Sequence, residues 1–141
     1  MDPQVDLDPT HSVIRFTVMA ETITLELAEE VYQHLSDVTS RGGPYAAIYD
    51  LSAAKRTTIP TDMVRGFARR RPSIPVGRTR VVVGKEPVIY GLACVFQMCS
   101  EFLGSEFQVV WSLEEAYDII GAHPEDFTEC LIWPGEWVSH R

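Results

Sequence analysis

What most constrains this chain is a change of hydrophobic period that recurs along it. Ser12 to Met19 (SVIRFTVM) sets Ile14, Phe16 and Val18 on one parity and Val13, Arg15, Thr17 and Met19 on the other, as a strand with one strongly apolar face requires. From about Thr24 the period becomes helical. Leu27, Ala28, Val31, Leu35 and Val38 recur among Glu26, Glu29, Glu30, Gln33 and Asp37. Arg41-Gly42-Gly43-Pro44 breaks that helix.

The same alternation continues. Tyr45 to Ser52 (YAAIYDLS) is short and apolar, which suits a strand buried on both faces. A loop, Ala53 to Ile59, leads to Pro60 at a helix start, with Met63, Val64, Phe67 and Ala68 as its buried stripe. Pro72 and Pro75 end it, and Thr79 to Gly84 (TRVVVG) is a third strand. Pro87 opens a helix carrying Ile89, Leu92, Ala93, Phe96, Cys99 and Leu103 at helical spacing. Gly91 inside it costs roughly 1 kcal/mol against alanine, a cost that close packing would explain. Phe107 to Trp111 is a fourth strand, Ser112-Leu113-Glu114-Glu115 a capping box, and Gly121 a left-handed cap. The order β-α-β-α-β-α-β-α predicts an α/β fold with about four helices on a four- to five-stranded, mostly parallel or mixed sheet. Thr22 to Leu25 is the expected hairpin partner of the first strand.

At 141 residues, 45% of them hydrophobic, the chain buries one core, so a single domain is expected, its centre at about residues 12–121. Residues 122–141 form an extension with Phe127, Leu131, Ile132, Trp133, Trp137 and Val138, too apolar for a free tail. It packs on its own domain or across a homodimer. No run approaches the roughly 18 apolar residues of a membrane span. The acidic opening MDPQVDLDPTHS lacks the features of a secretory signal, and Cys94, Cys99 and Cys130 lack metal-ligand spacing. These features together predict a cytoplasmic setting.

A net charge of −8 argues against nucleic acid as a partner. It conceals a basic window. Lys55, Arg56, Arg65, Arg69, Arg70, Arg71, Arg78 and Arg80 face one acid there, Asp62. That stretch suits an acidic protein partner or an anion, or is a solvated helix face whose Arg69-Arg70-Arg71-Pro72 complements a helix C-terminus.

Motifs of catalysis are missing. Gly42-Gly43-Pro44 precedes a strand, whereas a phosphate loop follows one, and no nucleophile elbow occurs. Glu29-Glu30 and Glu114-Glu115 are adjacent and point to different helix faces. His11, His34, His123 and His140 show no metal spacing. No catalytic residue, metal ligand or cofactor is therefore expected. Asp50 and Ser52 lie at a strand end, where parallel sheets bind ligands, or they tie down their own loop amides.

Ile48 to Ala54 (IYDLSAA) before a helix, Arg80 to Gly84 (RVVVG) and the closing SLEEAYDIIG resemble the STAS domain of anti-sigma-factor antagonists. The divergent STAS-like subgroup grouped with Sec14-type lipid-binding folds is the nearest in style. The likeness covers roughly residues 12–121. It implies a non-enzymatic, self-associating module that signals or scaffolds through the loop and helix after the second main strand. One departure matters. The family's phosphorylated serine lies in an Asp-Ser-Ser-Gly segment, and here the stretch reads Lys55-Arg56-Thr57-Thr58-Ile59-Pro60-Thr61-Asp62. Thr57, Thr58 and Thr61 are then the candidate hydroxyls near a helix N-terminus, with Lys55 and Arg56 beside them. Each threonine is otherwise an ordinary cap or loop residue. The second reading is a carrier or sensor of a small apolar or amphipathic ligand, or of a nucleotide, with Tyr90, Phe96, Met98 and Phe102 lining its cavity.

Overall fold

Strands form where apolar residues alternate, and the described part of the chain, residues 4–30, 33, 45–68, 79–100 and 107–129 of a computed structural model, holds eight of them. In chain order the elements are β1 (Gln4–Asp8), β2 (Val13–Thr17), β3 (Thr22–Ile23), α1 (residues 25–30 and 33), β4 (Ala46–Asp50) and β5 (Arg56–Thr57). There follow α2 (Thr61–Ala68), β6 (Arg80–Val83), α3 (Pro87–Ser100), β7 (Phe107–Val110), α4 (Leu113–Ile120), a 3-10 turn (Pro124–Asp126) and β8 (Thr128–Glu129). Six strands make one mixed sheet in the order β7-β6-β4-β2-β1-β8. β2, β4, β6 and β7 are parallel, whereas β1 runs antiparallel to both β2 and β8.

The sheet thus has six strands rather than four or five, and its hairpin differs from the expected one. The segment before β2, not the one after it, folds back on it, pairing Val5 with Phe16 and Leu7 with Ile14. QVDLD has the strand period, but Asp6 and Asp8 disguise it. Both are buried, Asp6 against Arg15 and Asp8 inside its own turn. Thr22–Ile23 instead makes a separate parallel ladder with β5.

Winding proceeds in one direction. From β2 to β4, β6 and β7, each crossover moves one strand further along the sheet. Right-handed crossovers of this kind stack their helices on one face. Leu25, Leu27 and Ala28 of α1, Val64 of α2 and Ile89, Leu92 and Val95 of α3 accordingly share one cluster with Val18, Ile23, Ala54 and Ile59. On the opposite face, among the described residues, α4 is the one helix that packs, through Leu113, Ala116, Tyr117 and Ile120, onto Val13, Ile48, Val81, Val83 and Val110. Phe16, Ile14, Ile48 and Ile89 are fully buried, each contributing about 1.5–3 kcal/mol by leaving water.

α4 is bounded as its sequence dictates. The Ser112 hydroxyl accepts from the Glu115 amide at 3.3 Å and lies 3.1 Å from the Glu115 carboxylate, and Gly121 closes the helix at φ +79°. Arg15, in the middle of β2, projects onto the α4 face. Its guanidinium donates to Asp6 at 2.9 Å and to the Tyr117 hydroxyl, and it lies 4.5 Å from the centre of the Phe127 ring. Burial opposes its charge, but the bonds to Asp6 and Tyr117 outweigh burial and raise its pKa above the ordinary value. Phe127, expected in a packed extension, thus packs within its own chain. Leu131, Ile132, Trp133, Trp137 and Val138 lie outside the described residues. Among the described residues no helix is long and apolar enough to cross a membrane.

Two predictions concern stability. Arg15→Ala leaves Asp6 buried without its cation, so chemical denaturation should show a loss of about 3–5 kcal/mol. Glycines in and before α3 separate by sign. A Cβ at Gly91 meets nothing within 4 Å, which corrects the expectation of close packing there, and Gly91→Ala should stabilise by about 1 kcal/mol. At Gly84 a Cβ would stand 3.2 Å from the Tyr90 nitrogen, so Gly84→Ala should destabilise by about 1–3 kcal/mol.

Candidate functional site

Parallel strands gather their outgoing loops at one edge, the carboxyl ends of β2, β4, β6 and β7. The expected contact loop, Ser52 to Asp62, lies there after β4. It is anchored as part of the core. Ala54 and Ile59 are buried under α2 and α3, and Glu21 O accepts from the amides of Lys55 (2.7 Å) and Arg56 (3.1 Å). The Thr58 amide donates to Ile23 O at 3.1 Å.

Each residue singled out from sequence has a defined place. Asp50 Oδ1 accepts from both the amide and the hydroxyl of Ser52, an Asx turn that ties the loop to its strand. Thr57 is structural. Its hydroxyl donates to Ile23 O at 2.8 Å and accepts from the Ile59 amide at 3.1 Å. Lys55 and Arg56 are exposed and face Glu21, at 3.9 and 3.5 Å. Thr58 and Thr61 are exposed, and Thr61 is the first residue of α2, following Pro60 rather than capping it. The structure therefore gathers the seven on one loop but separates two groups. Asp50, Ser52 and Thr57 hold the loop, whereas Lys55, Arg56, Thr58 and Thr61 display from it.

Among the described residues, the basic window does not form one face. Arg80 is buried at the opposite edge, its guanidinium 5.3 Å from the Phe107 ring. Glu21 offsets Lys55 and Arg56, while the exposed acids Asp62 and Glu86 lie within three residues of Arg65 and Lys85 in the chain. Arg69, Arg70, Arg71 and Arg78 lie outside the described residues.

What the sequence reading missed is apolar. Among the described residues the exposed large hydrophobics are Met19, Met63, Val88, Met98, Trp111 and Ile119. The first three and Trp111 all belong to this edge. Met19 follows β2, Met63 lies in the first turn of α2 after β4, Val88 in the first turn of α3 after β6, and Trp111 directly after β7. Trp111 is kept in place by Tyr90, whose ring stacks on it at 3.7 Å with planes 3° apart. Topology was the only signal that could have found this group, because successive members are 23 to 44 residues apart and separated by whole crossovers.

For a ligand cavity the side chains are poorly placed. Tyr90 is engaged with Trp111, and Met98 is 66% exposed. Side chains of Phe96 and Phe102 lie outside the described set. The outgoing connections diverge only between β6 and β7, where α3 lies on one face and α4 on the other, and there the stacked Tyr90 and Trp111 stand, one in the first turn of α3 and one directly after β7.

At the other edge the structure joins two histidines that the sequence kept apart, with the rings of His11 and His123 centred 6.5 Å from each other. His34 and His140 lie outside the described residues. Cys94 is a free, half-buried thiol, and nothing is described of the Cys99 side chain or of Cys130.

The threonines provide a test. Thr57→Val removes a donor and an acceptor inside the loop and should cost about 1–3 kcal/mol by denaturant unfolding, while Thr58→Val and Thr61→Ala should each change stability by less than about 0.5 kcal/mol. Compared with known proteins, the chain matches no family model, no curated protein and no solved structure.

Proposed function

We propose that this chain is a non-enzymatic protein-interaction module of STAS type, docking its partner on the carboxyl-end edge of the parallel strands. The observation that carries the reading is the collection of Met19, Met63, Val88 and Trp111 at that edge, exposed around an anchored loop. Exposed apolar groups on a rigid frame favour association, because little side-chain or loop order is lost on binding. Trp and Met are among the side chains enriched at protein interfaces.

The charge balance refines the partner. With Glu21 beside Lys55 and Arg56, the edge offers mixed charges around apolar anchors, so the partner presents apolar side chains ringed by polar ones of either sign. An acidic partner gains less here than the sequence window suggests. Thr58 and Thr61 are the hydroxyls a kinase could reach, and a phosphate on either would add negative charge to the docking edge. The unspaced cysteines favour a cytoplasmic setting for this role.

Met63 and Val88 lie in first helical turns, where glutamate is tolerated and complements the dipole. Met63→Glu and Val88→Glu should therefore leave thermal stability within a few degrees of the parent. Quantitative pull-downs from the source cells should show one partner retained by the parent and by Met98→Glu, and reduced about tenfold or more by Met63→Glu or Val88→Glu. A partner bound equally by all four proteins would refute this edge.

A further inference from the structure

Two aspartate–histidine pairs of equal spacing meet where β1 and β8 lie side by side. Asp8 and His11 stand three residues apart in the β1–β2 turn, and His123 and Asp126 stand three apart around the 3-10 turn. The ladder fixes this meeting, with Leu7 opposite Thr128 and the Thr128 hydroxyl donating to Leu7 O at 3.3 Å. One donor atom each from Asp8, His11 and Asp126 lies within 4.8 Å of the others. The His123 ring, inclined at 68° to that of His11, stands beside them.

The electrostatics of Asp8 ask for a cation. Its side chain is fully buried. Oδ1 accepts from the amides of Thr10 (3.0 Å) and His11 (3.3 Å), which leaves Oδ2 facing His11 Nδ1 at 2.7 Å. A buried carboxylate is stable when it is paired with a charge or bound to a metal. Asp6, two residues earlier, has a permanent cation in Arg15. Asp8 has an imidazole, which is charged only when protonated, and Asp126 brings a second carboxylate to the open side.

We propose that Asp8, His11 and Asp126, with His123 as the second imidazole, form a binding site for a divalent transition-metal ion of the zinc class. Imidazole nitrogen with carboxylate oxygen is a donor set that such ions favour over magnesium or calcium. The ion takes the place of the proton between Asp8 Oδ2 and His11 Nδ1; from an imidazolium that proton leaves to solvent, and from a neutral ring it is exchanged to Nε2. Donors about 2.0–2.1 Å from a tetrahedral zinc stand roughly 3.3 Å apart. The His11 ring therefore withdraws slightly from Asp8 while Asp126, exposed and free to turn, closes in. The Oδ1 bonds to the turn amides persist and aim the carboxylate. A bound ion clasps the β1–β2 turn to the segment that enters β8, so it acts on the two outermost strands on that side of the sheet.

The test uses the untagged full chain, stripped with a chelator and titrated with zinc chloride by calorimetry, with a thermal melt alongside. One equivalent should bind and raise the melting temperature, and magnesium chloride should do neither. Asp126→Asn and His123→Ala change exposed residues, so both variants should fold, and each should weaken zinc binding about tenfold or more. His11→Gln should abolish it. Failure of zinc to bind stoichiometrically, or undiminished binding by the doubly substituted His11→Gln, Asp126→Asn chain, would overturn the site.

Discussion

Arg15 is the joint on which the α4 face depends. It sits at the centre of a sheet strand, where an apolar residue would be the ordinary choice, and reaches β1 through Asp6, α4 through Tyr117 and the approach to β8 through Phe127. Replacing such a pair by apolar residues of similar volume is often neutral in stability, so stabilisation alone does not account for it. What an ion pair adds is direction. A guanidinium with a fixed fork accepts one arrangement of carboxylate, hydroxyl and ring, and that arrangement sets the register of β1 against β2 and the seat of α4 together.

The need for such a joint follows from the winding. Three crossovers in one direction put α1, α2 and α3 on a single face and leave the other to whatever follows β7. α4 is short, and its apolar stripe reaches β4, β6 and β7. Among the described residues, the part of the same face over β1 and β2 is covered by Arg15, Tyr117 and Phe127. One-directional winding also shapes the opposite side of the problem. The outgoing ends of the four parallel strands share one edge of the sheet, so the helix starts at Met63 and Val88 and the strand exits at Met19 and Trp111 lie along it.

Much of this was legible in the chain. The strands around Val81-Val82-Val83 and Phe107 to Val110, the capping box at Ser112 and the Gly121 cap lie where period and cap chemistry put them, since each is decided by neighbours within a turn or two. β1 was not legible, because the partners that make Asp6 and Asp8 acceptable in a buried strand are a guanidinium nine residues away and a turn that exists only once the hairpin forms. Within the candidate loop, residue type showed which side chains carry hydroxyls and charge. It did not show which were already engaged. Thr57 and Thr58 are indistinguishable in sequence, yet one hydroxyl is used by Ile23 and Ile59 and the other is displayed. The described part of the basic window shows the same limit. Arg80 belongs to a buried strand end and Glu21 comes from another crossover.

Long-range return of the chain explains the histidines as well. After α4 the chain must cross from the β7 edge to the far side of β1 to lay down β8, and that passage delivers His123 and Asp126 to a turn more than a hundred residues earlier in sequence. The meeting point is at the amino-terminal edge of the parallel strands, with the exposed apolar group at the carboxyl-terminal edge. β2 touches both, since Val13 begins beside the Asp8–His11 turn and Val18 ends in the cluster that anchors the loop. The proposed metal clasp and the proposed docking edge lie at opposite ends of the parallel strands, held apart by the sheet itself.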